Sequence, residues 1–164
     1  MKNRSINMLI VALLLLGAFA VAINVFLGIA KRDFPKYITV SANGVTESIL
    51  PIRDLQLNPA ESKEYTVNLV CAASGSYYIY LAFEEEEDGG MKNFVDVTVF
   101  AGETQVYSGA LAELIEGKLI EFEGVLQEKD PLPVTLRYEM PYETGNEAQG
   151  TYADFNVRLK IKKS

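Results

Sequence analysis

The 164-residue sequence contains no histidine and only one cysteine. Without histidine the chain lacks the commonest general base and the commonest metal ligand, and no Ser–His or Cys–His pair can form. The motifs of zinc proteases, α/β-hydrolases and phosphate-binding loops are also missing. We therefore predict that the protein is not an enzyme. The remaining enzyme hypothesis is a hydrolase that uses carboxylates such as Glu121 or Glu123 in a cleft.

The single cysteine, Cys71, excludes a disulfide within the chain. It lies in the apolar run 69–72, a setting that is typical of a small buried side chain rather than a nucleophile. A domain of about 130 residues can bury enough apolar surface to fold without a disulfide. The missing disulfide therefore does not argue against export.

Acidic residues outnumber basic ones, and the excess lies after position 30. That part of the chain holds all 22 acidic residues and 13 of the 15 basic ones (all except Lys2 and Arg4), so its net charge is −9. A domain with this charge repels nucleic-acid phosphates and anionic lipid head groups. We expect no nucleic-acid partner and interpret the charge as a source of solubility.

One long apolar segment begins at Met8 and ends at Ala30, without a charged residue. As a helix that rises about 1.5 Å per residue it would extend about 34 Å, enough to cross a hydrocarbon core of about 30 Å. As a retained signal-anchor it has the better length, because the apolar part of a signal peptide is usually about 7–15 residues. As a cleavable signal peptide it has two A-x-A cleavage motifs for signal peptidase, at residues 18–20 and 20–22. Both interpretations make the membrane a partner of residues 8–30.

The orientation of this segment is not decided by charge, because basic residues flank it on both sides. An N-terminal signal-like segment normally translocates the chain on its C-terminal side, so we expect that part outside the cell membrane, with a cytosolic domain as the alternative. The predicted organisation is a signal-anchor or signal-peptide helix at 1–30, a juxtamembrane connector at 31–36 and an extracellular domain at 37–164. If the segment is cleaved, the domain is secreted.

Beyond residue 31 apolar and polar residues alternate with period two, which indicates half-buried strands. Turn-forming pairs such as Asn43-Gly44 and Asp130-Pro131 separate the alternating segments, and only residues 110–116 favour a helix. The sequence predicts a mostly β protein, an antiparallel jelly-roll or Ig-like β-sandwich preceded by one N-terminal transmembrane or signal helix. The predicted strands are 37–41, 54–57, 63–70, 76–83, 95–99, 105–107, 119–122, 135–140 and 153–161.

Five consecutive carboxylates, from Glu84 to Asp88, precede two glycines. Hard oxygen ligands at a glycine-rich turn suit Ca²⁺, and Glu84, Glu86 and Asp88 are the candidate ligands. The run lacks the alternate spacing of a dedicated calcium loop, so we favour a solvated hairpin tip whose like charges oppose aggregation. We accordingly predict no metal, no other cofactor and no catalytic residue.

Two further groups of side chains lie in predicted strands. Tyr77, Tyr78 and Tyr80 are interpreted as strand packing, with an aromatic ligand platform as the alternative. In the last strand, Lys160, Lys162 and Lys163 are interpreted as alternating on the presumed solvent face, where lysine protects a sheet edge.

Three segments resemble the TasA/camelysin group of Gram-positive surface proteins. Residues 57–62 (LNPAES) are similar to an L-x-P-G-(D/E)-S entry to a strand, although Ala60 replaces the usual glycine. Residues 106–114 (VYSGALAEL) resemble a V-Y-x-G-x-L-A-D-L segment. Met140-Pro141 with Gly145-Asn146 and Gln149-Gly150 resembles the closing motif. The resemblance implies a jelly-roll-like sandwich, export, and a role at the cell surface or in a biofilm matrix.

These expectations lead to two candidate functions. The first is a non-enzymatic cell-surface protein that displays a binding or assembly domain on a single membrane anchor. The alternative is a secreted matrix or fibre subunit, released by signal peptidase after Ala20 or Ala22. Residues 23–29 would then complete the sheet of a neighbouring copy by strand donation. Other surface or matrix proteins, or further copies of the chain, are the expected partners.

Overall fold

A computed structural model of the protein describes residues 33–164. The predicted helix at 1–30 and the first two residues of the connector lie outside this range. Among residues 33–164, no helix combines the length and the apolar character that crossing a membrane requires. Phe34–Ser164 form one structural unit.

Most residues of the unit lie in strands, which confirms the prediction of a mostly β fold. A short helix, α1, covers Leu111–Ile115 and lies within the predicted helical segment 110–116. Single 3-10 turns cover Met91–Asn93 and Asn146–Ala148. The strands are β1 Tyr37–Val40, β2 Val45–Leu55, β3 Ser62–Cys71, β4 Gly75–Gly89, β5 Asp96–Ala101, β6 Thr104–Ala110, β7 Ile120–Leu126, β8 Leu132–Glu139 and β9 Tyr152–Lys163.

The strands form a two-sheet sandwich. Sheet 1 has the order β1-β3-β8-β5-β6, and sheet 2 has the order β2-β9-β4-β7. β2 pairs with β9, β3 with β8, β4 with β7 and β5 with β6, all antiparallel. These pairs are nested along the chain and alternate between the sheets, which is the connectivity of a jelly roll. β1 adds a parallel partner to β3 at the edge of sheet 1.

The core lies between the sheets, where the apolar residues of each alternating strand point inward. Phe155 of β9 links the two layers, because its ring centroid lies 5.6 Å from that of Tyr138 in sheet 1 and 5.9 Å from that of Phe83 in sheet 2. Burying one such side chain stabilises the fold by roughly 1.5–3 kcal/mol. Cys71 is buried at the end of β3, as predicted. Other core residues are Leu50, Ile52, Val67, Leu69, Ile79, Leu81, Val97, Val99, Val134, Leu136, Val157 and Leu159.

Two sequence predictions about strands are wrong. The sequence predicted only residues 54–57 as a strand in this region, but β2 begins at Val45 and includes Pro51. Proline is tolerated there because β2 is an edge strand that pairs only with β9. Conversely, β9 lies inside sheet 2, between β2 and β4, so Lys160 and Lys162 do not protect an edge. They project from the outer face of sheet 2.

Candidate functional site

The longer connections between strands gather at one end of the sandwich, which we call the loop end. It comprises residues 56–61, 90–95, 111–119 and 140–151, because β3 and β5 begin where β6 and β8 end. The backbone N–H of Ala60 donates to the carbonyl of Met140 at 2.9 Å, and the N–H of Met140 donates to the carbonyl of Glu61 at 3.1 Å. The loop end is therefore built from segments that are distant in sequence.

The carboxylate of Glu61 fixes the first of these connections. Its Oε2 atom accepts hydrogen bonds from the backbone N–H and from the side-chain amide of Asn58, both at 2.9 Å. These bonds, the backbone one foremost, lower the pKa of Glu61 from its ordinary value of 4.5. The connection therefore carries a fixed negative charge at neutral pH.

Two grooves open side by side at the loop end. The first has a volume of about 370 Å³ and lies between the connections 56–61 and 140–151. Besides Glu61, its polar side chains are Gln56, Asn58, Asn146, Gln149 and Thr151. The carboxylate of Glu61 only accepts hydrogen bonds, whereas the side-chain amides both donate and accept them. The first groove is therefore suited to a polar ligand.

The second groove also has a volume of about 370 Å³ and shares Gly145 with the first. Three carboxylates line it, those of Asp96, Glu143 and Glu147, together with Phe94 and other residues of the connections. Neither groove is lined by a lysine or an arginine. Together they form a surface on which a positively charged or donor-rich partner is favoured.

The segments that carry the family resemblance meet at this end of the sandwich. Residues 57–61 and 145–150 contribute to the first groove, and Ala110 contributes to the second. Ala60 adopts a φ of 67°, in the left-handed region. Glycine enters this region at no steric cost, whereas a side chain costs about 1–2 kcal/mol. The usual glycine at this position of the motif thus has a physical reason, and this chain carries the strain.

A second glycine of the motifs is explained by a close approach. Gly109 of β6 lies beneath the ring of Tyr107, two residues earlier on the same face of the strand. A Cβ atom at Gly109 would collide with the Tyr107 hydroxyl. Gly89 of β4 has the same relationship to Tyr152, its partner in β9, whose backbone carbonyl oxygen also occupies the space.

The acidic run does not form a hairpin tip. Glu84 to Asp88 continue β4 alongside β9, with an irregularity in the register between Glu85 and Glu87. The turn after this strand is made by Gly90, with a φ of 85°, and leads into the 3-10 turn. The prediction failed because β9, far away in sequence, supplies a pairing partner and neighbouring donors that the local acidic pattern does not reveal.

Each carboxylate of this run has a partner within the chain, and Glu85 and Asp88 share one. Glu84 pairs with Arg158 at 2.7 Å, and Lys92 pairs with both Glu85 at 2.7 Å and Asp88 at 2.9 Å. Glu86 and Glu87 accept hydrogen bonds from Asn156 and Tyr152 respectively.

The candidate calcium ligands Glu84, Glu86 and Asp88 thus have three different partners. In the described range, 33–164, no group of three or more cysteine or carboxylate side chains is placed to hold a metal ion.

The remaining predicted site residues lie on sheet 2, away from the grooves. Tyr77 is buried in the core, as the packing interpretation predicts, whereas Tyr78 and Tyr80 project outward. Glu121 and Glu123 are exposed on β7, opposite Tyr80 and Tyr78, and line neither groove. Sequence reasoning missed both grooves, because their lining comes from connections joined only in the folded chain.

The chain matches no family model and no curated protein sequence. Among solved structures it aligns with PliG, a periplasmic inhibitor of g-type lysozyme from Aeromonas hydrophila, at 10% identity and a TM-score of 0.36, over 78% of this chain and 99% of that one. It aligns with a family 35 carbohydrate-binding module from Clostridium thermocellum at 8% identity and a TM-score of 0.36, over 73% and 92%. It aligns with a family 35 carbohydrate-binding module from an environmental isolate at 11% identity and a TM-score of 0.35, over 81% of this chain and 89% of that one. Similarities this low carry no functional inference, and the resemblance to the TasA/camelysin group stays a prediction.

Proposed function

We propose that this protein is a non-enzymatic cell-surface protein that displays its jelly roll as a binding domain on a single N-terminal membrane anchor. The loop end is the proposed binding surface. The observation that carries the proposal is the pair of adjacent grooves, each of about 370 Å³, lined by amide and carboxylate groups without a lysine or arginine. A binding surface of this kind selects partners that present lysine, arginine or other donors, as an exposed segment of another surface or matrix protein does.

The electrostatics of the described residues support a binding role rather than catalysis. A carboxylic acid that acts as a general acid at neutral pH needs a raised pKa. Hydrogen bonds from Asn58 instead lower the pKa of Glu61. The pKa of Asp88 is also lowered, chiefly by a hydrogen bond from Lys92. The two carboxylates of the hydrolase hypothesis, Glu121 and Glu123, lie on an open strand face.

Site-specific photo-cross-linking in intact cells tests the binding surface. A photoreactive amino acid replaces Tyr142, which lies at the loop end and is 80% exposed, or Tyr37, which lies on β1 and is 64% exposed. We expect a discrete adduct from position 142 and none from position 37. Glu147→Lys in the second groove should abolish the adduct, whereas Glu103→Lys, in the β5–β6 turn, should not. Equal labelling from both positions, or no adduct from position 142, would exclude the loop end as the binding surface.

The anchored location has its own test. If residues 8–30 are retained and the domain is outside, protease added to intact cells should remove the domain, and the intact membrane-bound protein should begin at Met1. Resistance to protease in intact cells, with cleavage after lysis, would place the domain inside. Location and binding can fail separately in these experiments.

A secreted fibre or matrix subunit is the second candidate function, and the edge of sheet 2 favours it. β7 pairs only with β4 and keeps a regular register over seven residues without a proline, so its outer backbone groups are available to an added strand. N-terminal sequencing of the mature protein separates the two candidates. A start at Val21 or Ile23 supports release and strand donation, and a start at Met1 excludes them.

A further inference from the structure

The outer face of sheet 2, which we call the charged face, combines charges of both signs with tyrosines and aliphatic residues. Basic side chains occupy β9 in the interior of the sheet, and acidic side chains occupy the two edge strands, β2 and β7. The alternation of buried and exposed residues places these side chains outward. The face consists of Val45, Glu47, Ile49, Tyr78, Tyr80, Glu121, Glu123, Val125, Arg158, Lys160 and Lys162.

Pairing between the strands arranges the middle of this face in rows. One row runs from Lys162 on β9 through Tyr78 on β4 to Glu123 on β7. The next row repeats the pattern with Lys160, Tyr80 and Glu121. Each row therefore has a cation at one side, an aromatic ring in the centre and an anion at the other side.

Exposed apolar residues concentrate on the same face. Seven large hydrophobic side chains are exposed in the described part of the chain, and four of them, Val45, Ile49, Tyr78 and Val125, belong to the charged face. A fifth, Leu119, immediately precedes β7. Grouping of exposed apolar residues among charges marks a surface that contacts another protein.

We propose that the charged face binds the same face of a second copy of this chain, around a two-fold axis that runs along β4. Such an axis exchanges β9 and β7 while it keeps each row at its own height. Lys162 then faces Glu123 of the second copy, Lys160 faces Glu121, and the central tyrosines face their own equivalents. A two-fold interface requires a self-complementary surface, and the rows provide one.

The charges on this face are available for such contacts. Lys160 has an exposed partner within the chain, Glu47, at 3.2 Å. Exposed ion pairs contribute only about 0–1 kcal/mol, so an exchange of partners costs little. Within the described residues, Lys162 forms no ion pair. The axis along β4 overlaps β9, β4 and β7 of the two copies and leaves β2 outside the overlap. Three strands about 4.8 Å apart and about seven residues long cover roughly 330 Å² per copy. A face-to-face pair thus buries on the order of 700 Å², at the small end for a weak and reversible complex.

Charge reversal with mixing tests this dimer, independently of the loop-end site. The full chain in detergent micelles should sediment as a reversible dimer at low ionic strength (about 0.01 M), where charges are least screened. Lys160→Glu with Lys162→Glu, or Glu121→Lys with Glu123→Lys, should weaken self-association about a hundredfold, because like charges then face each other. An equimolar mixture of the two variants should restore the dimer. Lys63→Glu with Lys129→Glu, which changes the net charge equally but lies off the face, should leave the dimer intact.

Proximity of the two copies of β4 provides a second measurement. In a Cys71→Ala background, Tyr80→Cys should give covalent dimers with a short bismaleimide, whereas Thr98→Cys on sheet 1 should not. A monomeric wild-type chain, a dimer that survives both reversals, a mixture that stays monomeric, or equal cross-linking at positions 80 and 98 would each overturn the proposal. A dimer held by another part of the chain would survive both reversals.

Discussion

The outer face of sheet 1 carries more hydroxyl and amide side chains than that of sheet 2, whose outer face carries more charged side chains. On sheet 1 the polar groups bond within the sheet: the hydroxyls of Thr66 and Thr135 lie 2.9 Å apart, and the amide of Asn68 donates to the carbonyl of Lys36 at 3.2 Å. Its hydroxyl and amide residues are Thr39, Thr66, Asn68, Thr98, Gln105, Ser108 and Thr135.

The inner faces of the two sheets are alike, because both must fill one common core. Close packing restricts these positions to apolar side chains of suitable shape. The outer faces have no such restriction, so their side chains can differ. Part of the polar groups of sheet 1 bond within the sheet, whereas the charges and apolar groups of sheet 2 form the surface that we propose contacts a second copy.

The largest expected effect on stability comes from a substitution in the core that the two sheets share. Phe155→Ala removes the ring that contacts both layers and should lower the free energy of unfolding by about 3–5 kcal/mol, since it leaves a cavity between them. Val125→Ala, on the charged face, should change it by about 0.5 kcal/mol or less. Urea unfolding measures both. A loss of about 1 kcal/mol or less from Phe155→Ala would show that the layers are not joined through this ring.

Each sheet has one glycine packed closely against a tyrosine, Gly109 against Tyr107 in sheet 1 and Gly89 against Tyr152 in sheet 2. Gly109→Ala in sheet 1 and Gly89→Ala in sheet 2 should each destabilise the fold by about 1–3 kcal/mol, because a Cβ atom has no room at either position. The obstacle at Gly109 is the end of a side chain, so Tyr107→Leu should relieve most of the cost. The obstacle at Gly89 includes backbone, so Tyr152→Leu should relieve little of it. Double-mutant cycles by urea unfolding measure both couplings, and equal relief in the two sheets would contradict the distinction.

A substitution in residues 56–61, which connect β2 of sheet 2 to β3 of sheet 1, should stabilise the fold instead of destabilising it. Ala60→Gly should stabilise the fold by about 1 kcal/mol, because glycine adopts the positive φ of this position without strain. Ala82→Gly, within the extended strand β4, should destabilise it by about 0.5–1 kcal/mol. Thermal unfolding of the two variants gives the signs, and destabilisation by Ala60→Gly would contradict the strain at this turn.

The smallest expected effect is a change in the pH dependence of stability. Because Asn58 lowers the pKa of Glu61 in the folded state, the stabilisation is present above the unfolded value of 4.5 and is lost as the pH falls through the folded value. Glu61→Gln should therefore reduce the melting temperature at neutral pH and flatten its decline below pH 4.5. Glu103→Gln serves as the control. Parallel melting curves for Glu61→Gln and the wild type would contradict the role of Asn58.

Strands with strict alternation were predictable from sequence because their signal is local. Residues 153–161, for example, alternate without interruption and lie within β9. Most of β2 was not predicted, because proline and charged residues such as Pro51, Arg53 and Asp54 are unusual in strands and are tolerated here at the edge of the sheet. The acidic run was misread because its partners, Lys92, Asn156, Tyr152 and Arg158, come together with it only after folding.

The candidate site was less predictable than the fold. The motif segments 57–62 and 140–150 carry the family resemblance, but their sequence does not reveal that residues from both segments line one groove. The rows of the charged face depend equally on register, since Glu121 and Lys160 become neighbours of Tyr80 through pairings that span 41 and 80 positions respectively.

The interior position of β9 has a consequence for protein synthesis. β2 and β4 do not pair with each other and are joined in sheet 2 only through β9, which leaves the ribosome after the other eight strands of residues 33–164. Apolar core surface of the other eight strands therefore stays exposed to solvent until residues 152–163 have been synthesised. A premature stop codon that removes this one strand would leave the core without its central partner, so it should prevent the sandwich from closing.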